Sequence, residues 1–261
     1  TAAGWPSECH AYIARTAPRA DGPQRLTRDS ECDMLPQWSR DRTRIAFTRR
    51  VGNGHQVWVM RADGSEAALV TDRITGGRVA WAPDGRRLAF VGKVGDDPEI
   101  FMIDVTGSGL QRLTTSAAVE DDPAWSADGR SLAFWSKRDG TQQIYLLDPA
   151  DPSAPWTKLT SVQGTAADPV FSPDGGRIAY TRRGSDRQGD IWVMNADGSG
   201  ARRVTADAVY EMDPTWSPDG KWIAYARGPV EEPRVWAIRA DGTLARAVTA
   251  GARAEGHPSW S

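Results

Sequence analysis

Six aromatic residues punctuate this chain at nearly equal intervals, and that spacing restricts the fold more than any other feature. Trp38, Trp81, Trp125, Phe171, Trp216 and Trp260 are separated by 43, 44, 46, 45 and 44 residues. A period near 44 residues, filled with short strand-like runs and turns, is the length of one four-stranded propeller blade.

The inside of each period supports that reading. A Pro-Asp-Gly turn follows three of the aromatics (Pro83, Pro173 and Pro218 lead it), and relatives of it follow Trp38 and Trp125. Asp-Gly between two strand-like runs is a strong hairpin signal, because Gly accepts positive φ at little cost. A second marker, Ala-Asp-Gly or a variant, closes the third strand at Asp21, Asp63, Asp197 and Asp241; Thr106-Gly107 and Asp148-Pro149 replace it in two copies. After it comes a phrase ending in Thr, at Thr27, Thr71, Thr114, Thr160, Thr205 and Thr249. The two halves are out of phase at the chain ends. The chain opens with a second half and finishes with a first half, so the two fragments add up to one blade.

The expected fold is therefore all-β: a six-bladed β-propeller of four-stranded antiparallel blades, with the ring closed by N- and C-terminal strands. The whole of 1–261 forms one domain. Residues 1–32 are the N-terminal arm of the split blade, 33–256 five full repeats, and 257–261 the inner strand that closes the ring. Closure hides sheet edges that would otherwise invite aggregation. The alternation of Ile45 and Phe47 against Ala46 and Thr48 suits half-buried strands.

The phrases DPTWSPDGKWIAY and IWVMNADGSGARRVT resemble the repeat of TolB-type six-bladed propellers, strongly over 33–261 and weakly over 10–32. Relatives of this repeat occur in propeller domains of prolyl oligopeptidases and dipeptidyl peptidases, and in oligogalacturonate lyases. The resemblance implies the fold; one scaffold hosts many activities. TolB proteins also carry an N-terminal α/β domain to which nothing here corresponds, so a place in a Tol–Pal system is not expected. The family is largely exported, which implies a periplasmic, secreted or cell-surface location. Cys9 and Cys32 are the only cysteines. They read as buried thiols or as a disulfide stapling the N-terminal arm, and the exported character of the family favours the disulfide.

Composition excludes several classes. A net charge of −2 gives no global attraction to nucleic acid or anionic membrane. No apolar run reaches the 18 or so residues of a membrane span. The three histidines, His10, His55 and His257, have no zinc spacing, and there is neither HExxH nor a G-x-S-x-G elbow. The peptidase activities are therefore not expected. One channel histidine is also too few for the metal site that oligogalacturonate lyases use.

The residues just before each inner strand carry the functional expectation. Asp33, Glu120, Asp122, Asp168, Glu211, Asp213, Glu255 and His257 gather there, with Arg78 as the exception in sign. Carboxylates crowded at one mouth of a channel repel, so the ring suits a basic peptide or protein partner, or Ca²⁺, which takes 6 to 8 oxygens. Alternatively, Asp before Pro only starts each strand and bonds its own turn. The turn residues Asp84, Asp128, Asp174 and Asp219 read as structural, and Trp58, Phe101, Tyr145, Trp192 and Trp236 as packing between blades. Trp135, Trp156 and Trp222 fall outside that register and are expected in exposed contacts. The expected function is a monomeric binding or scaffolding propeller with no required cofactor. The alternatives are a polysaccharide lyase or glycoside hydrolase using channel carboxylates, with or without a metal, and a structural domain cut from a longer chain.

Overall fold

The computed structural model describes residues 14–15, 24–27, 32–94, 97–184, 188–229, 232–249 and 258–260. Within them every regular element is a β-strand. The first complete blade is built from β3 (Cys32–Trp38), β4 (Arg44–Val51), β5 (Gly54–Arg61) and β6 (Ala68–Ile74), preceded by the short pair β1 (Ala14–Arg15) and β2 (Gln24–Arg25). The second holds β7 (Ala80–Trp81), β8 (Arg87–Val94), β9 (Asp97–Asp104) and β10 (Gln111–Arg112). The third holds β11 (Glu120–Trp125), β12 (Leu132–Ser136), β13 (Gln143–Leu147) and β14 (Thr157–Lys158). The fourth holds β15 (Thr165–Phe171), β16 (Arg177–Arg183), β17 (Gly189–Asn195) and β18 (Arg202–Arg203). The fifth holds β19 (Glu211–Trp216), β20 (Trp222–Arg227), β21 (Arg234–Arg239) and β22 (Arg246–Ala247).

Each blade is an antiparallel meander in sequence order, and one bridge from Ile74 to Gly92 joins the first two into a single sheet. The repeating turns set this register. Asp41, Asp84, Asp128, Asp174 and Asp219 each accept the backbone N–H two residues on, and all but Asp84 also accept a Ser hydroxyl from the end of the inner strand. These bonds hold all five carboxyls below their ordinary pKa. The structural role expected for the turn aspartates is the one observed.

The core lies between blades. Separate apolar clusters fill the four interfaces between the complete blades, with a fifth where Leu26 meets the first blade, and the aromatics of β5, β9, β13, β17 and β21 all belong to them or pack against them. The second strands are buried on both faces: Ile45, Ala46, Phe47 and Thr48 are all nearly inaccessible. Half-buried strands were expected from the alternation. The structure differs because a blade is sandwiched between two neighbours, so neither face meets water.

One turn residue couples successive blades. A Cβ added at Gly64 would lie 2.8 Å from the Leu26 carbonyl oxygen, and Gly107, Gly198 and Gly242 stand in the same relation to Val70, Leu159 and Val204. All four glycines have positive φ. Leu26, from the segment after β2, thus packs on the first blade as the last strand of each blade packs on the next, and it joins Ile45, Phe47 and Met60 in a core cluster. At the other end of the sequence, Ser259 Oγ accepts the Trp38 backbone N–H at 3.3 Å.

Candidate functional site

A bulge in the innermost strands decides where the acidic residues point. Pairing with the second strand slips between Met34 and Gln37, Asp121 and Ala124, Ala167 and Val170, and Met212 and Thr215. In each slip one residue before a proline is left-handed: Leu35 at φ 55, Asp122 at 52, Asp168 at 53 and Asp213 at 54. A bulge puts two residues opposite one, and so reverses which face the preceding residues occupy. Aspartate tolerates this conformation better than most residues.

The sequence-derived set consequently divides in two. Asp33, Glu120 and Glu211, five residues before the aromatic anchor, are buried inside their blades. Asp33 forms a paired contact with Arg49, at 2.7 and 3.0 Å, and Arg49 lies 4.6 Å from the centre of Trp58. Glu211 lies 3.4 Å from Arg227, which stacks on Trp236 at 4.3 Å. Glu120 accepts hydrogen bonds from Ser116 and Ser136 at 2.6 and 2.8 Å. Burial pushes the Glu120 carboxyl up, and it raises Glu211 to about 7.

The second group stands three residues before the anchor and converges from different blades. Arg78 Nη2, on the second blade, lies 3.2 Å from Asp213 Oδ1 on the fifth. Asp122 and Asp168, from the third and fourth blades, lie close enough to interact electrostatically with this pair. Burial pushes Asp122 well above the usual carboxylate range; the negative charges of Asp121, Asp168 and Asp213 add to it, and Arg78 opposes. Asp121 is raised to about 6, by burial first and then by Asp168. Its Oδ1 accepts the Asp122 backbone N–H at 2.7 Å. Among the described residues several carboxyls thus lie about one guanidinium, and a cation entering the group would favour their ionised forms. Glu255 and His257 lie outside the described residues, as does Cys9; Cys32 is buried at the start of β3.

Asp121, Trp135, Tyr210 and Arg183 contribute beside the set of ring residues chosen from sequence. Asp121 is the middle of the Glu120–Asp122 acidic run. Trp135 donates its indole N–H to Asp122 Oδ2 at 2.7 Å and is buried. That corrects its expected exposure, as does the half-burial of Trp156 against Phe134 and of Trp222 beneath Arg246. Tyr210 carries the guanidinium of Arg183 5.0 Å from its ring centre, and burial raises its hydroxyl pKa, with Asp168 and Asp213 contributing. Among the described residues, no group of three or more His, Cys, Asp and Glu side chains is arranged to hold a metal ion.

A family model described as the TolB beta propeller domain matches residues 19–156 and again 153–261. The chain belongs to this family. Among TolB relatives, the Tol-Pal system protein TolB of Anaeromyxobacter dehalogenans is 53% identical over 47 residues, which is 18% of this chain and 11% of that protein. The crystal structure of TolB from Acinetobacter baumannii superposes with a TM-score of 0.81 at 20% identity, covering 92% of this chain and 59% of that one. An oligogalacturonate lyase in complex with manganese gives a TM-score of 0.58 at 15% identity, covering 92% of this chain and 73% of the lyase. At these identities the structural likenesses show the fold alone. The match spans 11% of the length of the Anaeromyxobacter protein and 59% of the Acinetobacter chain. No helix among the described residues is long and apolar enough to cross a membrane.

Proposed function

We propose that this TolB-family domain is a non-catalytic binding propeller that captures a basic segment of a peptide or protein at Asp122, Asp168 and Asp213. One observation carries the proposal: among the described residues one guanidinium, Arg78, faces a larger number of carboxyls, and two of these have raised pKa values. A lysine or arginine side chain adds positive charge beside these carboxyls. The scaffold in this reading is a six-bladed ring in which 257–261 and the β1–β2 arm complete the last blade. The packing of Leu26 on the first blade and the bond from Trp38 to Ser259 support it. Family membership favours an exported location.

The test uses a library of short peptides that differ in Lys and Arg content, with wild type and an Asp122→Asn, Asp168→Asn, Asp213→Asn variant. Wild type should retain lysine-bearing peptides that lack arginine, less so as salt rises, and the variant should lose them while melting normally. Retention by the variant would overturn the assignment. Calorimetry with Ca²⁺ tests the other cation that suits the same charges. The raised pKa of Asp121 beside the other carboxyls also gives the lyase or glycoside hydrolase reading an acid to use. Turnover of polyuronates or common glycans, with and without divalent metal, would favour that reading instead.

A further inference from the structure

The repeat supplies its own template for a second binding site, at the opposite, turn-bearing ends of the inner strands. In three interfaces between complete blades, an arginine six residues after one anchor lies over the anchor tryptophan of the next blade. Arg44 sits 5.0 Å from the centre of Trp81, Arg87 5.4 Å from Trp125, and Arg177 4.7 Å from Trp216. Two of these arginines also donate to the carbonyl of the next blade's turn glycine: Arg44 Nη2 to Gly85 at 2.5 Å and Arg177 Nη2 to Gly220 at 3.3 Å. Arg87 Nε instead donates to its own turn carboxylate, Asp84, at 2.9 Å.

Between the third and fourth blades both halves of the stack are cut back. Ser131 stands where the arginine would be, and Phe171 replaces the tryptophan. A cleft of about 490 Å³ opens at this place, lined by Ser131 and Phe171 together with Asp128, Asp174 and Gly175. Each partner that the internal arginines use is therefore present without the arginine: an aromatic ring, a turn glycine and a turn carboxylate. Both carboxyls are held low in pKa by bonds from their own turns, so they are ionised at neutral pH. Arg40, at the rim, donates its Nη1 to the Ala127 carbonyl at 2.6 Å.

We propose that this cleft is a slot for a guanidinium side chain supplied from outside the chain, such as an arginine of a bound peptide. The guanidinium would lie on Phe171, donate to the Gly175 carbonyl and pair with Asp128. A planar, delocalised cation with several N–H donors meets all three demands, and an ammonium meets fewer.

The experiment titrates the protein with N-acetylarginine methylamide and with the neutral citrulline analogue of the same shape, followed by calorimetry or NMR. The arginine amide should saturate with a Kd on the order of millimolar, and citrulline should bind about tenfold more weakly. Ser131→Arg supplies the missing side chain internally; it should abolish binding at the slot, read as loss of the amide's shift of the Phe171 ring resonances, and raise Tm. Phe171→Leu, which removes the ring, should weaken binding about tenfold and serves if the first variant misfolds. In the Asp122, Asp168, Asp213 triple variant the amide should still shift the Phe171 ring resonances as in wild type, which separates this slot from the site proposed above. Absence of saturation, equal binding of citrulline, or unchanged binding in both Ser131→Arg and Phe171→Leu would overturn the proposal.

Discussion

The guanidinium of Arg78 and the carboxylate of Asp213 meet at 3.2 Å although they belong to the second and the fifth blades. Each comes from the segment leading into an innermost strand, and both side chains are largely shielded from solvent. Their contact ties distant parts of the sequence together where like charges gather. Arg78→Met should therefore cost more stability than a surface change, about 2 kcal/mol at pH 8. The loss should shrink at pH 5, where the neighbouring carboxyls take up protons. Denaturant titrations at the two pH values check both the size and the trend.

The buried and the converging carboxyls should respond differently to substitution. Glu120→Ala leaves the Ser116 and Ser136 hydroxyls without their acceptor and should destabilise by about 1–3 kcal/mol. Asp168→Asn preserves a residue type that accepts the left-handed backbone, so its melting should shift by no more than about 0.5 kcal/mol. The same change should weaken retention of basic peptides. Thermal melts and peptide binding, measured on both variants, separate the two roles.

Glu211 gives the fold a pH dependence of known sign. Its carboxyl is raised from 4.5 to about 7 in the folded protein by burial. The folded state therefore holds a proton that the unfolded chain has released, and this contribution is complete below pH 4.5. It is lost as pH rises through about 7. Wild type should lose at most about 3 kcal/mol across that window from this group. Glu211→Gln, which cannot ionise, should flatten the curve of Tm against pH.

Closure of the last blade can be tested from both chain ends. Removing residues 257–261 takes away the Ser259 partner of Trp38 and should lower Tm sharply and broaden the transition. Intact mass under non-reducing conditions should show Cys9 joined to Cys32. Reduction should then cost about 3 kcal/mol.

The blade repeat was legible in sequence because its markers are local. Trp81 and Trp216 recur at the period, and each donates its indole N–H to the preceding blade's innermost strand, at Gln37 and Val170. The division of the acidic residues was not legible. Glu120 and Asp122 are two apart, and strand alternation puts such residues on one face. The bulge at Asp122 reverses that, and it is visible only once the partner strand is in register. The burial of Trp135 was not legible for a related reason: its indole meets Asp122 across the same irregular pairing. The missing arginine at Ser131 needed the other interfaces as a standard before its absence meant anything.

The bulged residues form a set of separately adjustable positions, one in each of four blades. Leu35, Asp122, Asp168 and Asp213 share one backbone shape but not one chemistry, and each interrupts its ladder without joining it. A side chain there can change in charge or size while the paired residues on either side keep their partners. Charge at these positions could thus be rewritten a blade at a time, without renegotiating the packing that keeps the blades together.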